Sequence, residues 1–151
     1  MLRSLSHAVV YVLDLDRAKH FYVDVLGLEE RVDVTADGLR WLTVGAADDP
    51  EHEIVLTLAG PPLFDEDAGV SLVELVASGR TYGGVFRTDD CEASYRALQR
   101  RGVTFLQEPT RRFNRIDAVF RDPDGNWFSL AEPVEVLAAE RAVSDSTEGR
   151  A

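Results

Sequence analysis

One cysteine, Cys91, stands in a chain of 151 residues, so no internal disulfide can form, and a reducing cytosol suits it. Cys91 precedes an apparent helix, where a thiol is readily acidified. No local motif supplies the base that a catalytic thiol needs, so Cys91 is expected to act as a small hydrophobe. Basic charge is scarce too. Sixteen Lys and Arg face 27 Asp and Glu, a net of −11. Binding a phosphate backbone demands a basic footprint, so nucleic acid is not an expected partner. No apolar run is long enough to span a membrane, and the opening segment MLRSLSHAVVYVL lacks a small-residue cleavage motif behind an apolar core. It is expected to be a first strand rather than a leader, and the protein is expected in the cytoplasm without membrane partners. Gly83-Gly84 lacks the surroundings of a dinucleotide fingerprint or a phosphate loop. No serine elbow, zinc-finger spacing or thioredoxin motif occurs.

What is present is a duplication. From His7 the chain reads HAVVYVLDLDRAKHFYVDVLGLE, a valine-rich strand followed by a helix-period segment that stops at Gly27. Seventy-five positions later YGGVFRTDDCEASYRALQRRGVTF stops at Gly102 in the same manner. Asp14 or Asp16 is placed to cap the first helix, whose apolar stripe carries Ala18, Phe21, Val25 and Leu26. Strands are expected at Leu28–Val34, Leu39–Val44 and Glu53–Leu58, with Asp37-Gly38 as a hairpin turn. Gly60-Pro61-Pro62 breaks the chain, and residues 65–78 have a helical pattern. The second unit repeats the order: a strand over 84–88, a helix over 90–101, and strands at 103–107, 116–121 and 127–131. Asp122-Pro123-Asp124-Gly125 joins the last two.

Each half therefore reads strand, helix, then three strands. The expected fold is α+β, two βαβββ modules with their helices packed on one face of each sheet and a groove between curved mixed sheets. Module one covers about 5–60, a connector 61–80, and module two about 81–133. Together they make one domain over 1–135, followed by a flexible tail, 136–151. A unit of about 55 residues buries too little surface to stand alone, so the halves share a core or trade faces with a partner chain. Open sheet edges point to a homodimer.

This order, with His7 on its strand, the Phe21-Tyr22…Val25-Leu26-Gly27-Leu28 helix end and Phe120-Arg121-Asp122-Pro123-Asp124-Gly125-Asn126, resembles the vicinal oxygen chelate superfamily. That superfamily includes glyoxalase I, extradiol dioxygenases, fosfomycin-resistance thiol transferases, methylmalonyl-CoA epimerase and bleomycin-binding resistance proteins. The resemblance covers about residues 5–133. It implies a groove in which, for metal-using members, four His or carboxylate side chains from both modules hold one divalent cation. Carried over residue by residue, the first position is His7, a competent ligand. The second is Val55, which cannot ligate, although Glu53 lies two residues away on the same sheet face. The third is Gly83, or Gly84 with the offset one different, and the fourth is Ser129. Three of four positions lack a ligand, so no metal and no other cofactor is expected.

Strand alternation nonetheless defines a groove lining: His7, Val9 and Tyr11; Glu53, Val55 and Thr57; Val85 and Arg87; Arg115, Asp117 and Val119; Trp127, Ser129 and Ala131. Trp41 joins them if its strand presents it to that side. Aromatics with a few polar groups and two arginines suit a small organic ligand with a flat portion. Arg87 and Arg115 are expected either to orient a carboxylate or to pair with Glu53 and Asp117. Arg111, Arg112 and Arg115 are expected to form a solvated basic loop. Three functions fit. The leading one is a binding protein of the bleomycin-resistance type that sequesters a metabolite. The alternatives are a lyase, isomerase or dioxygenase using His7 and Glu53, and a dimeric scaffold without a small ligand.

Overall fold

The computed structural model describes residues 1–135; the expected tail, 136–151, lies outside the described residues. Among these residues eleven elements follow one another as two similar series joined by a helix. Module one is β1 (His7–Val12), α1 (Leu15–Lys19, continuing as a π-helical turn over His20–Val25), β2 (Glu29–Ala36), β3 (Leu39–Gly45) and β4 (Glu53–Leu58). Helix α2 (Glu66–Ala77) connects the modules. Module two is β5 (Tyr82–Arg87), α3 (Cys91–Arg100), β6 (Thr104–Arg111), β7 (Arg115–Arg121) and β8 (Trp127–Pro133). The two sheets have equivalent strand orders, β1-β4-β3-β2 and β5-β8-β7-β6, each with one parallel pair and two antiparallel ones. The expected α+β architecture is what forms.

Local chemistry sets the ends of these elements. Asp14 caps α1 by accepting the Arg17 backbone N–H at 2.8 Å, and Asp90 caps α3 through Ala93 at 2.8 Å. Asp37 and Gly38 both take positive φ, which a tight two-residue hairpin between right-twisted strands requires. β6 continues past Gln107, through Pro109, to Arg111. It is an edge strand broken by two register shifts, and there a proline without an N–H costs no ladder bond.

One hydrophobic core serves both modules. Val10, Val12, Leu42, Val44 and Leu56 of the first sheet join Ala118, Phe120, Phe128 and Leu130 of the second, with Phe21 and Tyr22 from α1 and Cys91 and Tyr95 from α3. The Asp122–Asn126 turn fastens the halves together. Asp122 Oδ1 accepts the backbone N–H groups of Asp124, Gly125 and Asn126, each at 2.9 Å, while its Oδ2 accepts the Tyr22 hydroxyl at 2.7 Å. Asp124 accepts the Leu13 N–H at 3.1 Å and also binds Arg17; Asn126 Nδ2 donates to the Tyr11 carbonyl at 2.8 Å. Burial and the Asp122 carboxylate hold the Tyr22 hydroxyl well above its ordinary pKa, so it remains a donor.

Candidate functional site

Each sheet turns one face to the shared core and leaves the other free. In the first sheet the free face follows from register. His7 pairs with Glu53, Val9 with Val55, and Tyr11 with Thr57; Thr43 pairs with Val55 and Val34 with Trp41. Because Leu42 and Val44 point into the core, Trp41 belongs to the free face, which alternation in the sequence left open. In the second sheet Tyr82 pairs with Trp127, Val85 with Ser129, and Arg87 with Ala131, and across β7 Val119 meets Ser129 and Asp117 meets Ala131.

Strands β1 and β5, an edge strand of each sheet, both contribute to one cleft where the two sheets meet. At one end Asn126 is bonded to the Tyr11 carbonyl. At the other, Ser6, Ala8 and Glu53 share a cleft of about 560 Å³ with Val85, Arg87 and Asp89. Of the twelve residues expected to line a groove, three (Glu53, Val85 and Arg87) line that cleft. The others lie on the free faces, which are open to solvent only in part: Val55 and Asp117 are buried, whereas several apolar side chains are not. Val9 is 52% exposed, Val85 62% and Trp41 42%, large values for apolar side chains on a sheet.

The two ends of this surface differ chemically. At the first, His7 Nε2 stands 3.6 Å from Glu53 Oε2, His7 Nδ1 is 2.9 Å from Ser6 Oγ, and Arg87 is exposed nearby. At the second, Tyr82 and Trp127 stack with ring centroids 4.2 Å apart, and Phe64 packs edge-on against Tyr11 at 5.4 Å. Asp117 is almost entirely buried beneath Arg112 and Arg115, at 3.4 and 3.7 Å, so its charge is already balanced. Arg115 thus takes the pairing role that the sequence allowed, and Arg112 adds to it.

The structure corrects one placement. Gly83 does not lie on the groove face. A register shift between Tyr82 and Gly84 turns it toward the core, where a Cβ would come 2.1 Å from Phe128 Cε1. The free face instead receives Tyr82, which sequence reading missed because it began the strand at Gly84. Tyr82 lies 75 positions after His7, the interval that separates Gly27 from Gly102, and this spacing was the available signal. Phe64 and Thr43 were also missed; nothing local in the sequence marks either.

A divalent cation of the kind the resemblance implies needs donors from both modules. Module one offers His7 and Glu53. At the equivalent register position module two offers Tyr82 and Trp127, and Val55 and Ser129 stand further along. No three His, Cys, Asp or Glu side chains gather into a metal-holding group among the described residues. The donor set of one chain does not fit such an ion. Cys91 offers no alternative chemistry. It is fully buried, its sulfur faces the Leu130 carbonyl at 3.5 Å, and burial raises its thiol pKa.

Two four-stranded mixed sheets carried by a duplicated βαβββ unit around one shared core define the architecture of a known class. The chain belongs to the Glyoxalase/Bleomycin resistance protein/Dioxygenase superfamily, whose family model matches residues 4–130. Among solved structures, UcmS2 is 48% identical with a TM-score of 0.84, covering 87% of this chain and 99% of its own. TnmS3, an antibiotic binding protein from Streptomyces sp. CB03234, is 29% identical with a TM-score of 0.71, covering 88% of this chain and 98% of its own. YurT of Bacillus subtilis (strain 168) is 28% identical over 123 residues, 82% of this chain and 94% of YurT.

Proposed function

We propose that this protein binds a small organic molecule with a flat aromatic portion, without a metal, and sequesters it rather than transforming it. The observation that carries this reading is the Tyr82–Trp127 stack at the register position that His7 and Glu53 occupy in module one. A stacked pair presents a flat apolar surface where metal-holding chemistry would need a His or carboxylate donor, and aromatic contacts contribute about 0.5–1.5 kcal/mol beyond buried area. Arg87, exposed near His7 and Glu53, is placed to hold a carboxylate or enolate through paired hydrogen bonds. The likeness to TnmS3, an antibiotic binding protein, supports an antibiotic-like small molecule as the ligand.

The working form is a homodimer in the cytosol. Val9, Val34, Trp41, Tyr82 and Val85 are exposed together on the free faces, and a second copy would cover part of them while enclosing the ligand. The net charge of −11 argues against a nucleic-acid partner.

Calorimetric titration with planar aromatic carboxylates, in the presence of a chelator, tests the reading. Binding should survive chelation and weaken by about tenfold or more in Trp127→Ala and Arg87→Ala, the scale of a lost aromatic or charge-assisted contact. Equal affinity in both variants, with the fold intact, would place the ligand elsewhere. A second reading, acid–base catalysis by His7 and Glu53, draws on their 3.6 Å approach. It requires a product to appear with the wild type and not with Glu53→Gln.

A further inference from the structure

Thr43 lies at the centre of the first sheet's free face, yet it is entirely buried and its hydroxyl has no hydrogen-bond partner. Its neighbour across the ladder, Val55, is 4% exposed, whereas Val9, on the far side of Val55, is 52% exposed. Something therefore covers Thr43 and Val55 and leaves Val9 bare. Arg31 flanks Thr43 on one side, its guanidinium lying against Gly45 two residues along β3, and register points to Trp41 on the other. Trp41 precedes Thr43 by two residues on β3, and His7 pairs with Glu53, two residues before Val55 on antiparallel β4. The Trp41 indole and His7 imidazole approach to 6.4 Å between centroids, inclined at 45°. For rings rooted at those positions to meet, the line between them must pass over Val55, beside Thr43.

A buried hydroxyl without a partner is costly, because it has given up water and gained nothing. Valine has nearly the same shape and no such cost. We propose that Thr43 is the hydrogen-bonding anchor for the ligand and that Trp41 is its movable cover. The indole shields the hydroxyl in the free protein. When a flat ligand enters, the indole swings outward to stack on it, and Thr43 Oγ1 donates to a carbonyl oxygen in the ligand plane. This rests on the groove reading above and deepens it, because it makes an aromatic ketone or quinone-type carbonyl the favoured ligand chemistry over an aromatic hydrocarbon. Trp41 is 42% exposed, so its outer side faces solvent.

Two arms test the proposal. The first uses the protein alone. Thr43→Val should raise the melting temperature by about 2–6 °C, the scale of one relieved buried hydroxyl in a chain of this size. The gain should vanish when it is made in Trp41→Ala, where water reaches the hydroxyl. An unchanged or lower melting temperature, or a gain of equal size in both backgrounds, would overturn the proposal. The second arm titrates a fluorenone monocarboxylate and the matching fluorene monocarboxylate, which lacks the ring ketone. The wild type should prefer the ketone by roughly fivefold, about the worth of one net hydrogen bond, and Thr43→Val should bind the two alike. Binding of both acids with no ketone preference, or a preference that survives in Thr43→Val, would overturn the anchor and leave the groove reading standing. Failure of both acids to bind the wild type would contradict the groove reading, and the anchor with it.

Discussion

Tyr82 stacks on Trp127, centroids 4.2 Å apart and planes 28° apart, at the place in module two that His7 and Glu53 hold in module one. Duplication supplied two equivalent positions, and the two modules now carry different chemistry there. One end of the free surface is polar and ionisable. The other is a flat apolar plate.

That asymmetry predicts metal independence. Elemental analysis of protein purified without chelator should find Ni, Zn, Mn and Fe far below one per chain, and Glu53→Gln should leave those amounts unchanged. One equivalent of a single divalent metal, lost in His7→Ala, would restore the metal-dependent chemistry that the donor set here does not support.

The module junction predicts a stability effect remote from the ligand face. Tyr22→Phe removes one of the two donors to Asp122 Oδ2, leaving the Asn126 amide at 2.8 Å and a buried carboxylate one bond short. Hydrogen bonds to charged groups contribute about 1.5–3 kcal/mol, and denaturant unfolding should show a loss of that order. A loss below about 0.5 kcal/mol, the scale of an ordinary surface substitution, would mean the turn does not fasten the modules.

Gly83→Ala should destabilise the fold by about 3 kcal/mol or more. Its Cβ would overlap the Phe128 ring, 2.1 Å from Cε1, and that ring is buried among Tyr22, Phe86 and Phe120 with nowhere to retreat. Thermal unfolding of the variant checks this, and a melting temperature equal to that of the wild type would refute the close approach.

Much of the fold was legible because its signals are local. Glu53–Leu58 emerges with the bounds expected from alternation, and Asp37-Gly38 turns where the dipeptide requires. The π-helical turn after Lys19 was not, since an extra residue per turn leaves the apolar spacing of Phe21, Tyr22 and Val25 nearly unchanged. Nor was the bulge at Gly83, whose cause is Phe128, 45 positions away. The site was less legible for the same reason. His7, Glu53, Tyr11 and Trp127 could be placed by alternation on one strand at a time. The unpaired hydroxyl of Thr43 arises only when three strands and Trp41 come together.

A charge network on the helix side predicts a pH response. Asp33 accepts from Arg40 at 2.8 and 2.9 Å and from Lys19 at 2.7 Å, and hydrogen bonds from these two cations, Arg40 foremost, hold its carboxyl well below the usual range. A folded-state pKa depressed in this way adds stability above the unfolded value of about 3.9 and loses it as the pH falls through the folded value. Wild type should therefore exceed Asp33→Asn in stability by a constant amount above about pH 5, and the difference should shrink as the solution is acidified. A difference that grows on acidification would contradict the assignment.

The most direct test of the central claim uses the only two tryptophans in the chain, Trp41 and Trp127, both on the free faces. Their indole N–H groups give two separate signals in a proton–nitrogen correlation spectrum. Titration of the uniformly labelled protein with the fluorenone monocarboxylate, in chelator, should move both signals saturably, with the same affinity that calorimetry reports. Saturable binding that leaves both indole signals in place would put the ligand off these faces and contradict the account.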